Sequence, residues 1–549
     1  MLHQLEEAGH FISGNVYISP PSDNADASDE DSGDEDGGNV NNLSSKQLLS
    51  EATATVFTGS GRVDIGNDTD NEDSSVEQQG EESDAEETIA EEDLPRSKRQ
   101  KRTSTAAIAP RNEVPGKKKC HKLAPTSAAT STVARKWCKK DLPSSQQTRF
   151  EWTVDKPAFL SRDTSPVGMF ELFFDDEVIE LLCHNTTLYA HQNGRHSFSV
   201  TSNEMRCFLA ILLRSGYVTM PRRRMYWEQA EDVFSDCVSS AMAKNWFEEI
   251  LQYFHLADNT HLQPGDKVAK LRPFLSLMNE KFLMFNPCEQ KMSIDESMIP
   301  YYGHHSCKQF IRGKPIRFGF KMWCLNTSGG YLLQCELYQG AGTVSVDKEV
   351  GMTGSVVLDL ISELPADRPY LLYFDNLFTS LKLIDHLTKK GIGATGTVRV
   401  NRVEKCPLLD VKVMAKKPRG SCDYRLDSSS NTSVIRWNDN SVVTVASNCH
   451  GIAPMSSAKR WSSAQSKAIN VDQPFAIKAY NTGMGGVDRM DQNISKYRIQ
   501  MRNKKWWWSI FAYFPDVAVQ NSWLLYRMCP SFADRPLDLL QFRREICQV

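Results

Sequence analysis

The stretch Tyr370-Leu371-Leu372-Tyr373-Phe374-Asp375-Asn376 reads as a continuous apolar strand that stops on an acid. A run of this kind, with no polar residue to face water, fits a strand buried inside a sheet with helices on its faces. Outward from it, Gly354–Leu364 and Ser380–Lys390 read as helices, the second closed by Gly391, and Ala394–Arg399 reads as another strand. Upstream, Lys291–Ile294 is a short strand ending at Asp295. Phe318–Leu325 and Tyr331–Tyr338 are two β-rich runs joined by Asn326-Thr327-Ser328-Gly329-Gly330, a hairpin signal. The order strand, hairpin, helix, strand, helix, strand predicts an α/β fold with a mixed sheet between helices.

The flanks differ from this centre. Pro166–Leu182, Asn203–Leu213 and Ala241–Phe254 place apolar residues at helical spacing, and predict a small all-α unit up to about residue 285, with order starting near Pro166. Residues 400–475 hold short β patterns, Val434–Trp437 and Val442–Ala446, amid Ser, Asn and Lys, and read as an inserted β-rich subdomain. After it Gly485–Lys496 begins a helix, and Trp506–Met528 is a long, largely apolar helical stretch. Trp506-Trp507-Trp508 is tempting as a base-stacking platform, but successive helical residues turn by about 100°, so at least one belongs to the core.

The chain has 549 residues and a formal charge of −4 that conceals a split. Residues 1–95 hold 25 Asp/Glu against 2 Lys/Arg, and the remainder holds 62 Lys/Arg against 43 Asp/Glu. The run Asp23–Asp36 carries eight acids in fourteen residues, and 1–95 is expected to be a disordered acidic tail. A basic body of this size points to phosphate, and so to nucleic acid, as partner. Arg96, Lys98, Arg99, Lys101 and Arg102, followed by Lys117-Lys118-Lys119, look like a nuclear import address, the plainer alternative being a solvated charge run that balances the acids. No secretory signal is visible, and Phe208–Leu213, one of the longer apolar stretches, is far short of the roughly 20 residues that span a membrane. The 14 Cys include no Cys-x-x-Cys, and read as reduced thiols, many of them buried apolar fillers.

Three acids stand where an acid is costly unless it is used: Asp295 and Asp375 at strand ends, and Asp488 in Gly485-Gly486-Val487-Asp488-Arg489-Met490-Asp491. Each alone has a plain explanation, since an Asp after a strand is a common turn former and Asp375-Asn376 would serve as a helix cap. Together they are harder to dismiss. Carboxylates gathered at converging strand ends repel unless cations sit between them, and an oxygen-only set with few imidazoles favours Mg²⁺ or Mn²⁺. Two such ions about 4 Å apart can clamp the attacking and leaving oxygens of an in-line phosphoryl transfer. No Ser/His/Asp arrangement, zinc spacing or P-loop competes, and His304-His305, in a Gly-flanked turn, is not read as a metal site.

At these residues the sequence resembles the piggyBac transposase family. The resemblance is carried by Ser293-Ile294-Asp295-Glu296, Phe374-Asp375-Asn376-Leu377-Phe378-Thr379-Ser380 and Gly485–Asp491. Gln309-Phe310-Ile311-Arg312-Gly313-Lys314-Pro315 and Gly396-Thr397-Val398-Arg399 add to it. It runs from about 165 to 545, and implies a retroviral-integrase-like RNase H core with an insertion before the third acid. It further implies a mostly helical dimerisation and DNA-binding domain built from both sides of the core, and a homodimer. The organisation expected is then a tail to 95, a basic linker over 96–164 and a first helical segment over 165–286. The core opens over 287–399, is interrupted by the insertion over 400–475 and resumes over 476–491. A second helical segment, 492–549, completes the helical domain. By motif match Asp295, Asp375 and Asp488 are catalytic metal ligands, with two Mg²⁺ or Mn²⁺ ions, and Asp491 is the neighbouring acid that the family also needs. The family cuts DNA at transposon ends, joins hairpins and inserts at TTAA sites. Its transposases also carry a C-terminal cysteine-rich zinc domain. Here the last hundred residues hold only Cys529 and Cys547, so no zinc site is expected among them.

DNA is expected beside the acids. Lys308, Arg312, Lys314, Arg317 and Lys321 lie in an acid-free stretch interleaved with Tyr301, Tyr302, Phe310 and Phe318, which suits phosphates and unstacked bases; an exposed hairpin face would carry similar charge. Arg498, Arg502, Lys504 and Lys505 follow the third acid, and Arg222-Arg223-Arg224 is another cluster; most such contacts would be to phosphates. Two functions follow: a metal-dependent DNA-cutting and joining enzyme, or a domesticated nuclear DNA-binding protein that keeps the fold without transposing. A further reading makes the acidic tail an arm for chromatin or regulatory partners.

Overall fold

The computed structural model describes residues 11–18, 52–58, 61–65 and 135–548, apart from 144, 146–148, 162–163, 234–235, 341, 464 and 533–534. The first of its two bodies contains β1 (Phe11–Ile18), β2 (Ala52–Thr58) and β3 (Gly61–Ile65), an antiparallel sheet in that order. These strands lie within the acidic segment expected to be a disordered tail. They fall where β-branched and aromatic residues interrupt the acids, as in Val16-Tyr17-Ile18 and Val56-Phe57-Thr58. The acid run 23–36 and the basic run Arg96–Arg102 lie outside the described residues.

The second body is organised by a ten-stranded mixed sheet. Its centre is β5 (Lys291–Pro300), flanked by β7 (Phe318–Thr327) and β9 (Leu371–Phe374). β7 runs antiparallel to β5 and pairs onward with β8 (Leu332–Leu337) and the short β6 (Lys308–Phe310). β9 runs parallel to β5, and β10 (Gly393–Thr397) parallel to β9. All of β9 is buried, as its unbroken apolar run requires.

One strand end differs from the sequence expectation. β5 does not stop at Asp295 but continues to Pro300, because Glu296–Pro300 pair with Gly319–Trp323 of β7. The insertion also departs from a separate subdomain. β11 (Cys422–Asp427), β12 (Thr432–Asn438) and β13 (Val442–Ser447) extend the main sheet, β13 pairing antiparallel with β10. Only β14 (Ser456–Ser462) and β15 (Lys467–Gln473) form a hairpin of their own. Order also begins before Pro166: β4 (Trp137–Cys138) pairs with the outer edge of β11, and Arg135 beside it is shared by Asp385, Glu404 and Asp427.

The helical patterns fold as read, with one break. Pro166–Leu182 is two helices, α1 (Pro166–Glu171) and α2 (Asp176–Gln192), separated where Asp175 caps the second. α3 (Ser202–Arg214) opens on a Thr201/Glu204 capping box. The short α4 (Asp236–Ser239), α5 (Lys244–Tyr253) and α6 (Arg272–Met284) complete the segment before the sheet. α7 (Gly351–Leu360), α8 (Leu381–Lys389) and the short α9 (Val411–Ala415) follow strands of the core and insertion. α10 (Phe475–Gly483), α11 (Gly486–Lys496), α12 (Trp508–Met528) and α13 (Leu539–Ile546) close the chain.

Helices from both sides of the sheet sequence share one core. Ser522 of α12 donates to the Met169 carbonyl of α1 at 3.0 Å, and Arg543 of α13 donates to the Leu213 carbonyl at 2.9 Å and to Asp516 at 2.7 Å. The exposed edge of β8 is closed by side-chain amides: Asn279 and Asn521 each exchange two hydrogen bonds with its backbone, at Cys335 and Leu332. The Arg543–Asp516 pair is almost wholly buried, at 3% and 0% side-chain exposure. Removing one partner of such a pair strands the other charge. Arg543→Leu should therefore cost about 3 kcal/mol in chemical denaturation; a loss under roughly half of that would mean the pair contributes nothing beyond its apolar stem.

Candidate active site

The parallel pairing of β5 and β9 places the first two acids. Met292 pairs with Leu372, Ser293 with Tyr373 and Ile294 with Phe374. Asp295 and Asp375 each follow directly on the last of these pairs, close enough for the Asp375 charge to act on Asp295. β9 ends there because Asp375 turns the chain. Its Oδ1 accepts from the Leu377 N–H at 2.8 Å, and its carbonyl accepts from the Thr379 hydroxyl at 2.6 Å. The cap of α8 is not Asp375 but Ser380, whose hydroxyl accepts from the Leu383 N–H at 3.1 Å.

The other two acids arrive on α11, which lies close against β5 and β7 because its first residue is a glycine: a Cβ on Gly486 would stand 2.3 Å from the Thr327 carbonyl oxygen. Gly483, at the end of α10, allows a similar close approach to β9, where a Cβ would stand 2.3 Å from the Tyr373 ring. Gly485, at φ 90°, sets the entry to the helix, and the Gly486 N–H donates to the Ser293 hydroxyl at 3.2 Å. Asp488 sits exposed in the first turn. Asp491 lies a turn further and accepts from Ser297 Oγ at 2.6 Å and from Tyr513 Oη at 3.2 Å. Ser297 is two residues beyond Asp295 on β5 and so shares its face of the sheet. Sheet register and helix entry thus bring all four predicted acids to one place.

Their electrostatics show the strain of that crowding. Burial pushes the Asp295 carboxyl well above its usual range; Lys314 opposes this, while Glu296, Asp375 and Asp488 add to it. Burial and then Glu296 push Asp375 up to about 6. Asp491 is also pushed up to about 6 by burial, against the hydrogen bond from Ser297 and the nearby charges of Lys314 and Arg498. Lys314 is the cation that meets Asp295, with Nζ 3.9 Å from Asp295 Oδ1 and 3.8 Å from Glu296 Oε1.

A pH dependence follows, with a definite sign. Asp491 ionises near 6 in the fold and near 3.8 in an ordinary environment, so its ionisation opposes folding. The penalty is absent below the lower value and complete above the higher. With chelator present, stability should fall by roughly 2–3 kcal/mol from this group as pH rises from about 4 to above 6. Asp491→Asn should lose that share of the slope. Urea titrations at pH 4.5 and 7 check it, and parallel pH profiles for variant and wild type would contradict it.

The predicted basic residues divide into those near solvent and those with structural work. Arg312, Arg502 and Lys504 are exposed, and Lys308 and Lys321 are half-buried over aromatic rings, Lys308 over Phe318 and Lys321 over Trp323 and Tyr338. Arg317 is half-buried. Arg498 lies near Asp491, with its Nε buried. Lys505 is not a free phosphate donor: its ammonium is taken up by the carbonyls of Gln252 and Phe254 at 2.9 and 2.6 Å, closing the C-terminal end of α5. Lys314 faces the acids, as above. Arg223 forks onto Glu248 and bonds the Arg502 carbonyl at 3.1 Å, joining the two helical segments, while Arg222 and Arg224 are exposed. Of the three tryptophans, Trp507 and Trp508 are core, and half-buried Trp506 stacks on His305 at 4.1 Å between ring centroids. His305 is thereby a packing residue, whose Nδ1 also accepts from the Cys307 N–H.

Sequence reading missed Glu296, Ser297 and Tyr513 as members of this site. Glu296 stands in a quoted motif but next to a stronger acid; Ser297 and Tyr513 carry no local signal, because their role comes from packing against α11. Whether the set suits divalent ions turns on its donors. They are all carboxylate oxygens, those of Asp295, Asp375 and Asp491 buried enough to resist ionisation, and Glu296 Oε2 is buried with no hydrogen-bond partner. That chemistry fits a hard cation. Among the described residues, however, no three His, Cys, Asp or Glu side chains converge tightly enough to hold one ion.

The comparisons with known proteins agree with this fold. A family model described as Transposase IS4 matches residues 165–523, and the chain belongs to the piggyBac transposase family. It is 46% identical to human PiggyBac transposable element-derived protein 3 over 413 residues, which is 75% of this chain and 69% of that protein. Human PiggyBac transposable element-derived protein 2 is 43% identical over 420 residues, 76% of this chain and 70% of that protein. A solved structure, the cryo-EM piggyBac transposase synaptic complex with hairpin DNA, matches with a TM-score of 0.59 at 19% identity, covering 71% of this chain and 81% of that one. That likeness is one of fold: a mixed α/β body around a large mixed sheet. Among the described residues no helix is long and apolar enough to cross a membrane.

Proposed function

We propose that the chain is a transposase-type enzyme that cuts and joins DNA strands at TTAA-type sequences with Mg²⁺ or Mn²⁺. The observation that carries this is the position of Asp295 and Asp375, each one residue past the last β5–β9 pair, with Asp488 and Asp491 brought near them by α11. Asp295, Asp375 and Asp488 would hold the ions, which when bound supply Lewis-acid activation of the attacking and leaving phosphate oxygens. Asp491, held by Ser297 and Tyr513, fixes the pitch of α11 and so the reach of Asp488. The buried floor of β9 and β5 keeps the two strand acids from moving apart.

The order β8-β7-β5-β9-β10, antiparallel over its first three strands and parallel over the last, supports reading the core as RNase H-like. The Arg543 and Ser522 bonds support reading 165–286 with 492–549 as one dimerisation and DNA-binding domain. Arg312, Arg317, Lys308 and Lys321 on one side, and Arg498, Arg502 and Lys504 on the other, are the groups we assign to the phosphate backbone, in a homodimer acting in the nucleus. Purified full-length protein on nicked and hairpin TTAA substrates tests this. Nicking or joining that needs Mg²⁺ or Mn²⁺ is the expected result; DNA binding without turnover in either ion sinks the enzyme reading.

A second reading is a domesticated nuclear DNA- or chromatin-binding protein that no longer transposes. It is favoured by the carboxylates not converging on one ion position among the described residues. Its mark would be steeply salt-dependent DNA affinity, unchanged by chelator and unaccompanied by cleavage.

A further inference from the structure

Lys314 stands at the tip of the loop that joins β6 to β7. Strand pairing ends at Phe310 and Phe318, the Ile311 N–H still reaches the Arg317 carbonyl at 3.0 Å, and Gly313, at φ 92°, turns the chain just before the lysine. The side chain then runs back toward the middle of β5. Its ammonium makes one hydrogen bond, to the Glu296 carbonyl at 3.3 Å, and lies 3.9 and 3.8 Å from the Asp295 and Glu296 carboxylates. At those distances it is an ion pair with both and hydrogen-bonded to neither. A point charge held between carboxylates, with no directional bond to either, competes for Asp295 with any other cation that approaches it.

Two further observations bear on it. Glu296 Oε2 is buried without a donor, so the lysine leaves the acid set incompletely satisfied. The Lys314 side chain keeps 25% exposure, so part of it already reaches solvent, and Arg312, two residues earlier on the same loop, is exposed.

We propose that Lys314 is a resident counter-cation of the acid cluster that a divalent ion must displace, and that the displaced ammonium is taken up by a DNA phosphate. This rests on the reading of Asp295, Asp375 and Asp488 as ligands of a divalent ion. The metal-free site is then closed by the chain itself. Metal and DNA bind with positive coupling, because each favours the arrangement with Lys314 swung outward, and the coupling is reciprocal. The lysine raises the ion concentration needed for loading when DNA is absent, and so restrains cleavage to the assembled complex.

The test compares full-length wild type, Lys314→Met and Lys314→Arg. Mn²⁺ affinity is read from the loss of the free-ion paramagnetic resonance signal, with and without a TTAA duplex, and thermal midpoints are read in chelator. Lys314→Met should bind Mn²⁺ on the order of tenfold tighter than wild type without DNA. It should lose most of the gain in Mn²⁺ affinity that DNA gives the wild type, and melt lower than wild type in chelator. Lys314→Arg, which keeps the charge, should bind Mn²⁺ as wild type does. Equal or weaker Mn²⁺ binding by a folded Lys314→Met overturns the proposal and leaves the metal reading standing. No Mn²⁺ binding by any of the three proteins overturns both.

Discussion

Asp295→Asn should abolish ion-dependent nicking, lowering its rate by about 10³-fold or more, while leaving the protein at least as stable as wild type. The two halves of this expectation come from one cause. Asp295 sits mid-strand, 8% exposed, among Glu296, Asp375 and Asp488, where burial and like charge oppose its ionisation. A carboxylate that only served the fold would be expected to lose stability on neutralisation. One kept for ligation should gain some, since its repulsion is relieved, and lose the chemistry outright. Single-turnover nicking in Mn²⁺ beside a thermal melt separates the cases. A folded Asp295→Asn that still nicks at about a tenth of the wild-type rate, a loss worth only about 1.4 kcal/mol of barrier, would exclude Asp295 from the reaction.

The second large effect lies at a residue with no functional group. Gly486→Ala should destabilise by about 4 kcal/mol or more, because its Cβ would meet the Thr327 carbonyl at 2.3 Å, and backbone cannot step aside as a side chain can. To relieve that clash α11 has to lift from β7, taking Asp488 and Asp491 with it. Nicking should fall further than stability alone explains, even at a temperature where the variant is fully folded. Gly485→Ala offers a useful contrast: nothing lies within 4 Å of its Cβ, and the cost there is only that of φ 90°. Equal losses at the two positions would mean that helix entry, not close approach, governs the site.

What could be read from the sequence was what depends on local pattern. Tyr370–Phe374 announces a buried strand by composition alone, and the Gly-rich turn before Tyr331 announces the hairpin. The helix over 380–390 shows its terminal glycine, though not its cap, which is Ser380 and not Asp375-Asn376. The acids were visible because each stands out against its neighbours. What escaped were features set by partners distant in the chain. Lys291–Ile294 gave no sign that β5 would run on to Pro300, since Asp295 and Glu296 look like an ending until β7 is laid beside them. Lys505 reads as one more basic residue until the end of α5 arrives to claim it. Lys314 reads as a phosphate contact, and only the fold of the 311–317 loop turns it toward β5. The β12 and β13 strands show in the residue pattern, but joining them to β10 needs a pairing that no local periodicity encodes.

The short strand at Trp137–Cys138 has a wider meaning for how this protein stays separate from its neighbours. It pairs with Leu426 and Asp427, and so covers the end of a rim of the large sheet whose amides would otherwise be available to an extended peptide. Arg135, clasped by three carboxylates from three places in the fold, fastens that seal. A stretch that reads as a passive tether in the sequence is thus part of the sheet's own border.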